Sequence, residues 1–250
     1  MNRSELNNFF RLIQWEIQEY LNFPMLEILV FLAFYSILNQ PTVVISHSMS
    51  YNNLRFGFND ITFFMTLGVG ALVSRSFGAS ISKGEIKMLL SYPLKRWHVF
   101  ISKVTALYIV FTCIYGLTFS FQIYLLKLNL FEPLFYISIL SIALQLLVMC
   151  SVSTLIVMFV KNDIISIFAS ILFLYGFENI VSSTTLSSFA GRFNTIFGYF
   201  GILTHGTIPI GLVKEYTLNE AILALSIPII ISLILLGITL TYFVRLMEVD

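Results

Sequence analysis

Residues 74–103, SRSFGASISKGEIKMLLSYPLKRWHVFISK, gather Arg75, Lys83, Lys87, Lys95, Arg96 and Lys103 between two apolar runs. Arg3 and Arg11 precede an earlier apolar run, from Phe23 to Ile45. Cations concentrate on the cytoplasmic side of membrane helices, so both groups should lie inside. If the first run crosses the bilayer, the chain must cross back before Arg75. The segment from Asp60 to Ala79 is therefore read as a second span, although it is uninterrupted only from Ile61 to Val73. Arg75 can snorkel to the inner surface.

Composition agrees. Apolar residues are 58% of the 250, and Asp, Glu, Lys and Arg together only 11%, against roughly 25% in an average soluble domain. The mean hydropathy of +0.89 requires lipid contact for much of the apolar surface. A net charge of +1 gives no reason to expect nucleic acid. Cys113 and Cys150 lie inside apolar runs without metal or disulfide spacing and read as small hydrophobes. The first apolar run has no small-residue cleavage pattern after it and reads as a retained span rather than a signal peptide.

A helix needs about 20 apolar residues to cross the hydrocarbon core, where its backbone must satisfy itself. Besides the first two spans, the candidates are Val99–Leu126, Leu134–Val160, Ile164–Val181 and Ala221–Val244. Of 14 cations, only Arg55, Lys127, Arg192 and Lys214 then fall outside. The expected fold is an all-α integral membrane protein, one membrane domain over 1–250 with six transmembrane helices and both termini cytoplasmic. Residues 1–22 should form an amphipathic helix in the inner interface. Leu6, Phe9, Phe10, Ile13, Ile17 and Leu21 make its apolar face, and Arg11, Gln14, Gln18 and Glu19 much of the other. Residues 182–219 are too apolar for a solvated loop and are expected to form short helices, either dipping into the outer leaflet or capping it.

The basic connection carries the functional signal. Ser82 and Glu85, with Lys83 and Gly84 between them, form a capping box that should start a helix. It continues through Ile86, Lys87, Met88, Leu89, Leu90 and Ser91 and ends by Tyr92, because Pro93 disfavours helix in the residue before it. About nine residues make roughly 13 Å of helix. Ile86, Leu89 and Leu90 share one face, suited to a partner's groove or to anionic lipid.

The run Gly84-Glu85-Ile86-Lys87-Met88-Leu89-Leu90-Ser91-Tyr92-Pro93-Leu94-Lys95-Arg96-Trp97, followed by Lys103, resembles the segment after the second helix of ABC-2-type (type-2 ABC exporter) transporter permeases. The layout of the whole chain is similar too. The match departs where that family often has Thr after Gly and an acidic residue in place of Lys83. The resemblance implies that Ser82 to Tyr92 is a coupling helix docking into separate ATP-binding cassette ATPase subunits, with ATP and Mg on the partner and no cofactor on this chain. It also implies a second permease copy or a similar permease, in the cell membrane. The sequence contains no Gly-x-x-x-x-Gly-Lys-Ser/Thr phosphate loop, so ATP-driven work would need another polypeptide.

Other residues carry two readings each. Gly70, Ser74 and Gly78 repeat every four residues, the pattern for close helix approach within one chain or between two. Glu178 falls near the outer end of the fifth span, as an interfacial residue or a candidate in a substrate pathway. His47, His98 and His205 show no metal-ligand spacing, and no Gly-x-Ser-x-Gly elbow is present. The expected function is the permease subunit of an exporter, not an enzyme. The alternatives are an ion-coupled carrier or accessory subunit, and last an intramembrane enzyme.

Overall fold

The computed structural model describes residues 3–22, 25–38, 47–82, 95–129, 131–181, 186, 188–205 and 216–249. Among them are eight helices: α1 (Arg3–Leu21), α2 (Met25–Leu38), α3 (His47–Ser82), α4 (Arg96–Leu125), α5 (Pro133–Val160), α6 (Asp163–Val181), α7 (Phe189–His205) and α8 (Leu218–Val249). The described residues contain no strand. Stretches within α3, α4, α5 and α8 are long and apolar enough to cross a bilayer: Ile61–Ile81, Arg96–Leu125, Pro133–Val160 and Leu218–Arg245.

The helix ends follow local chemistry. Lys95 is extended (φ −71°, ψ 138°) and α4 starts behind it, three residues after Pro93. Pro133 takes the first turn of α5, where its missing N–H costs nothing. That helix ends at Lys161, which adopts a left-handed conformation (φ 56°) and donates its N–H to the Val157 carbonyl at 2.9 Å. Asn162 Oδ1 then accepts from the Ile165 N–H at 3.1 Å, capping α6. Two residues thus reverse the chain between α5 and α6.

Helix α5 is central and packs against α3, α4, α6, α7 and α8. Its Ser138, Ser151 and Thr154 hydroxyls donate to carbonyls four residues back, at 2.6 to 2.7 Å. They remain satisfied inside an apolar bundle without a partner from another helix. On α3, Ile61, Met65, Val69, Val73 and Phe77 recur every four residues and are all buried. Aromatic rings fill the core in two places: Phe77, Phe100 and Phe243 in one, and Phe119, Phe193 and Phe197 in the other. Helix α8 is peripheral. Ile229, Ile230, Leu233, Ile234 and Ile238 point outward, a surface suited to hydrocarbon rather than water.

The helices differ from the sequence reading in three places. The second-span reading, Asp60 to Ala79, matches the bilayer-crossing stretch Ile61–Ile81, but the helix that carries it begins earlier, at His47, so α3 spans about 54 Å, far more than the roughly 30 Å hydrocarbon layer. No proline interrupts residues 42–92, so the helix propagates through polar residues that a hydropathy reading leaves out. In the first apolar run, helix is described over Met25–Leu38 only, and residues 39–46 lie outside the described residues. The inward face of α1 is also rotated. Phe10 and Leu21 are exposed, whereas Leu12, Ile13, Glu16 and Tyr20 are buried. Glu16, on the buried face, is ion-paired to Lys103.

Candidate functional site

Two buried polar clusters interrupt the apolar core. The first joins α1 to α3 and α4. Lys103 Nζ donates to both Glu16 carboxylate oxygens, at 3.2 and 3.1 Å. Glu16 is fully buried and Lys103 is 4% exposed. Tyr20, one turn along α1, donates its hydroxyl to Glu16 at 3.0 Å and pairs with the Ser76 hydroxyl of α3. Because Tyr20 has given its single proton to the carboxylate, Ser76 is the donor in that second bond. Burial first, and then the Glu16 charge, hold the Tyr20 phenol well above its ordinary pKa.

The second cluster joins α5 to α7. Arg192 donates from Nε and Nη2 to Gln145 Oε1 at 3.1 and 3.0 Å, and from Nη1 to the Leu186 carbonyl at 3.2 Å. Its guanidinium also stands 5.1 Å over the Phe189 ring. Gln145 is fully buried, and its Nε2 finds no acceptor among the described residues. Arg192 borders a groove of about 650 Å³ between α6 and α8, floored by α5 and α7. Val152, Leu174, Phe189, Ile231 and Leu235 line it, while Phe159 and Phe173 stand exposed at its rim.

Of the residues singled out in the sequence, Gly70, Ser74 and Gly78 come together as the seam between α3 and α6 of one chain. A Cβ on Gly70 would lie 2.9 Å from Ile171 Cγ1, and one on Gly78 would lie 2.8 Å from the Asp163 Cα. Ser74 Oγ lies 3.1 Å from the Ser166 carbonyl oxygen, to which it donates, and 2.9 Å from Ser170 Oγ. Ser82 is the last residue of α3. Lys83, Gly84, Glu85, Ile86, Lys87, Met88, Leu89, Leu90, Ser91 and Tyr92 lie outside the described residues. Glu178 is carried on α6, and its side chain lies outside the description. Of 182–219, the structure shows α7, whose length runs through Gly191, Gly198 and Gly201 without a break.

Sequence reasoning misses both clusters. It uses Arg192 only as a marker of sidedness and Lys103 as such a marker and as part of the family-like segment, and it assigns Glu16 to neither face of α1. A signal is nonetheless present. Glu16 sits between Ile13 and Ile17 on the apolar face, one turn before Tyr20, and a buried acid there requires a base from another element.

Fold and clusters define an all-helical protein with four helices of bilayer-crossing length and apolarity, one buried polar cluster that joins α1 to α3 and α4, and another that joins α5 to α7. No family model, curated protein or solved structure matches this chain.

Proposed function

We propose that this chain is the permease subunit of an ATP-driven ABC-2-type exporter in the cell membrane. In this reading it has six spans with both termini cytoplasmic, and it works with a second permease and two separate ATPase subunits. The observation that carries the reading is the sequence Gly84–Trp97 with Lys103. It links α3 to α4, two helices with bilayer-crossing stretches, by residues 83–95. ATP and Mg would be bound by the partners. Their closure would push on Ser82 to Tyr92 and bias the spans between two arrangements. Nothing in the cycle requires chemistry on the cargo. The Glu16–Lys103 pair supports this reading because it fastens α1 to the start of α4, so a load on the link is shared by both.

The test is co-expression with the ATPase subunits encoded nearest to this chain, then purification in detergent. Co-elution with ATP turnover is expected. Leu89→Asp, which places a charge on the docking face, should abolish association while the protein still inserts. A chain that elutes alone with every candidate ATPase would point to a self-sufficient carrier or an accessory subunit.

A further inference from the structure

We infer that α5 binds an ordered water molecule between Ser141 and Gln145, inside the bilayer-crossing part of the bundle. This does not depend on the exporter reading. Both residues are fully buried. They lie about 12 and 18 Å along α5 from Pro133, well inside the stretch Pro133–Val160. Residues one turn apart share a helix face, with Cβ atoms about 5–6 Å apart. Each of the two carries a buried polar atom that has no hydrogen-bond partner among the described residues, Ser141 Oγ and Gln145 Nε2. The neighbouring hydroxyl behaves differently: Ser138 donates to the Leu134 carbonyl at 2.7 Å and is satisfied within its own helix. Ser141 makes no such bond, so its hydroxyl and the Gln145 amide are left to a common ligand.

The chemistry of the two atoms selects that ligand. Gln145 Oε1 accepts two N–H groups from Arg192, at 3.1 and 3.0 Å. Exchanging the amide oxygen and nitrogen would set donors against donors, so the orientation of the amide is fixed and Nε2 is a donor in need of an acceptor. Ser141 Oγ can give a proton or take one. Water accepts from the amide and exchanges a hydrogen bond with the hydroxyl in either direction, and buried waters typically bridge two to four polar groups that lack other partners. At this depth bulk water is out of reach and an unpaired donor is costly, which favours a water held in place. A halide ion would need both atoms to donate, and the test separates it from water. With the water bound, the tie between α5 and α7 extends from Arg192 through Gln145 to Ser141.

The full chain in detergent is equilibrated in water carrying heavy oxygen and exposed to millisecond X-ray pulses, and oxidised residues are mapped by mass spectrometry. Hydroxyl radicals formed from a bound water attack the side chains beside it. Met149, fully buried one turn beyond Gln145, is the oxidisable reporter, and Met65, fully buried on α3, sets the background. Heavy oxygen is expected at Met149 above the Met65 level in the unaltered protein. It should be lost in Ser141→Ala, which removes one of the two partners. It should be kept in Ser138→Ala, which removes a hydroxyl already satisfied by its own helix. Label at Met149 no higher than at Met65 in the unaltered protein would overturn the proposal, whatever the variants do. So would label in Ser141→Ala equal to that of the unaltered protein. A thermal unfolding temperature that rises with chloride, and does so only while Ser141 is present, would assign the site to a halide and overturn it as well.

Discussion

Neutralising one half of the Glu16–Lys103 pair should destabilise the protein far more than neutralising both. Lys103 Nζ reaches both Glu16 oxygens, and neither side chain has appreciable access to solvent. Lys103→Met therefore strands a carboxylate, and Glu16→Gln strands an ammonium. Removing one partner of a buried pair costs about 3–5 kcal/mol, whereas replacing both is often near neutral. In the Glu16→Gln/Lys103→Met double variant, the amide introduced on α1 still accepts from Tyr20, but its N–H donors need new acceptors. That leaves a cost of about 1–3 kcal/mol. The double variant should thus be more stable than either single one. The assay is unfolding by sodium dodecyl sulfate in mixed micelles, followed by circular dichroism at low and high salt. Screening acts weakly on a buried pair, so the ranking should not move with salt. Single variants within about 1 kcal/mol of the parent, or additive losses, would refute the seating of α1 on α4.

Four further outcomes follow. Gly78→Ala should destabilise by about 1–3 kcal/mol, because the new Cβ meets the Asp163 backbone at 2.8 Å. Gly176→Ala, in a helix with nothing within 4 Å of the new Cβ, should stabilise by about 0.5–1 kcal/mol, and the opposite signs are read in one unfolding series. Lys161→Gly should gain about 1 kcal/mol by relieving a left-handed backbone at φ 56°; a loss in the same assay would count against that turn. The Tyr20 phenol is raised above its ordinary value of 10.0, so the folded state retains its proton longer than the unfolded one. Its contribution is complete below about pH 10 and declines as pH rises from there toward the folded value. Tyr20→Phe should flatten that alkaline part of the unfolding profile, and an unchanged slope would contradict the buried hydroxyl.

The long apolar runs are legible in the sequence because lipid-crossing composition and helical backbone satisfaction are both local properties. Val99–Leu126 and Leu134–Val160 differ from α4 and α5 by a few terminal residues, set by Lys95 and by Pro133. The first half of α3 is not legible, since its residues are polar and helix there depends on propagation from an established segment. The register of α1 escapes a search for an apolar stripe, because the fold chooses a face with Glu16 at its centre. That choice depends on Lys103, 87 residues away, and no periodicity within α1 contains it. The groove is likewise a product of how α6 and α8 stand apart over α5 and α7, and only its Arg192 is visible in the sequence. The stripe of Gly70, Ser74 and Gly78 is legible as a contact surface, but its partner is not, because small residues specify closeness rather than identity.

The placement of the first cluster bears on how force would travel under the exporter reading. Ser76 lies about 9 Å along α3 from its end at Ser82, and Lys103 about 10 Å along α4 from its start at Arg96. Residues 83–95 are therefore attached to two helices that Glu16 and Tyr20 tie to each other near the attachment points. A push on the link could not bend one helix alone, and it would have to displace α1, α3 and α4 together. Helix α3 in turn touches α6 backbone to backbone through Gly78, a contact with no flexible side chain to absorb motion. Since α6 forms one wall of the groove beside Arg192, displacement at the link would alter the groove by rigid contact. In this arrangement the first polar cluster joins the helices that carry the link, and the second joins α5 to α7 beside the groove that α6 walls.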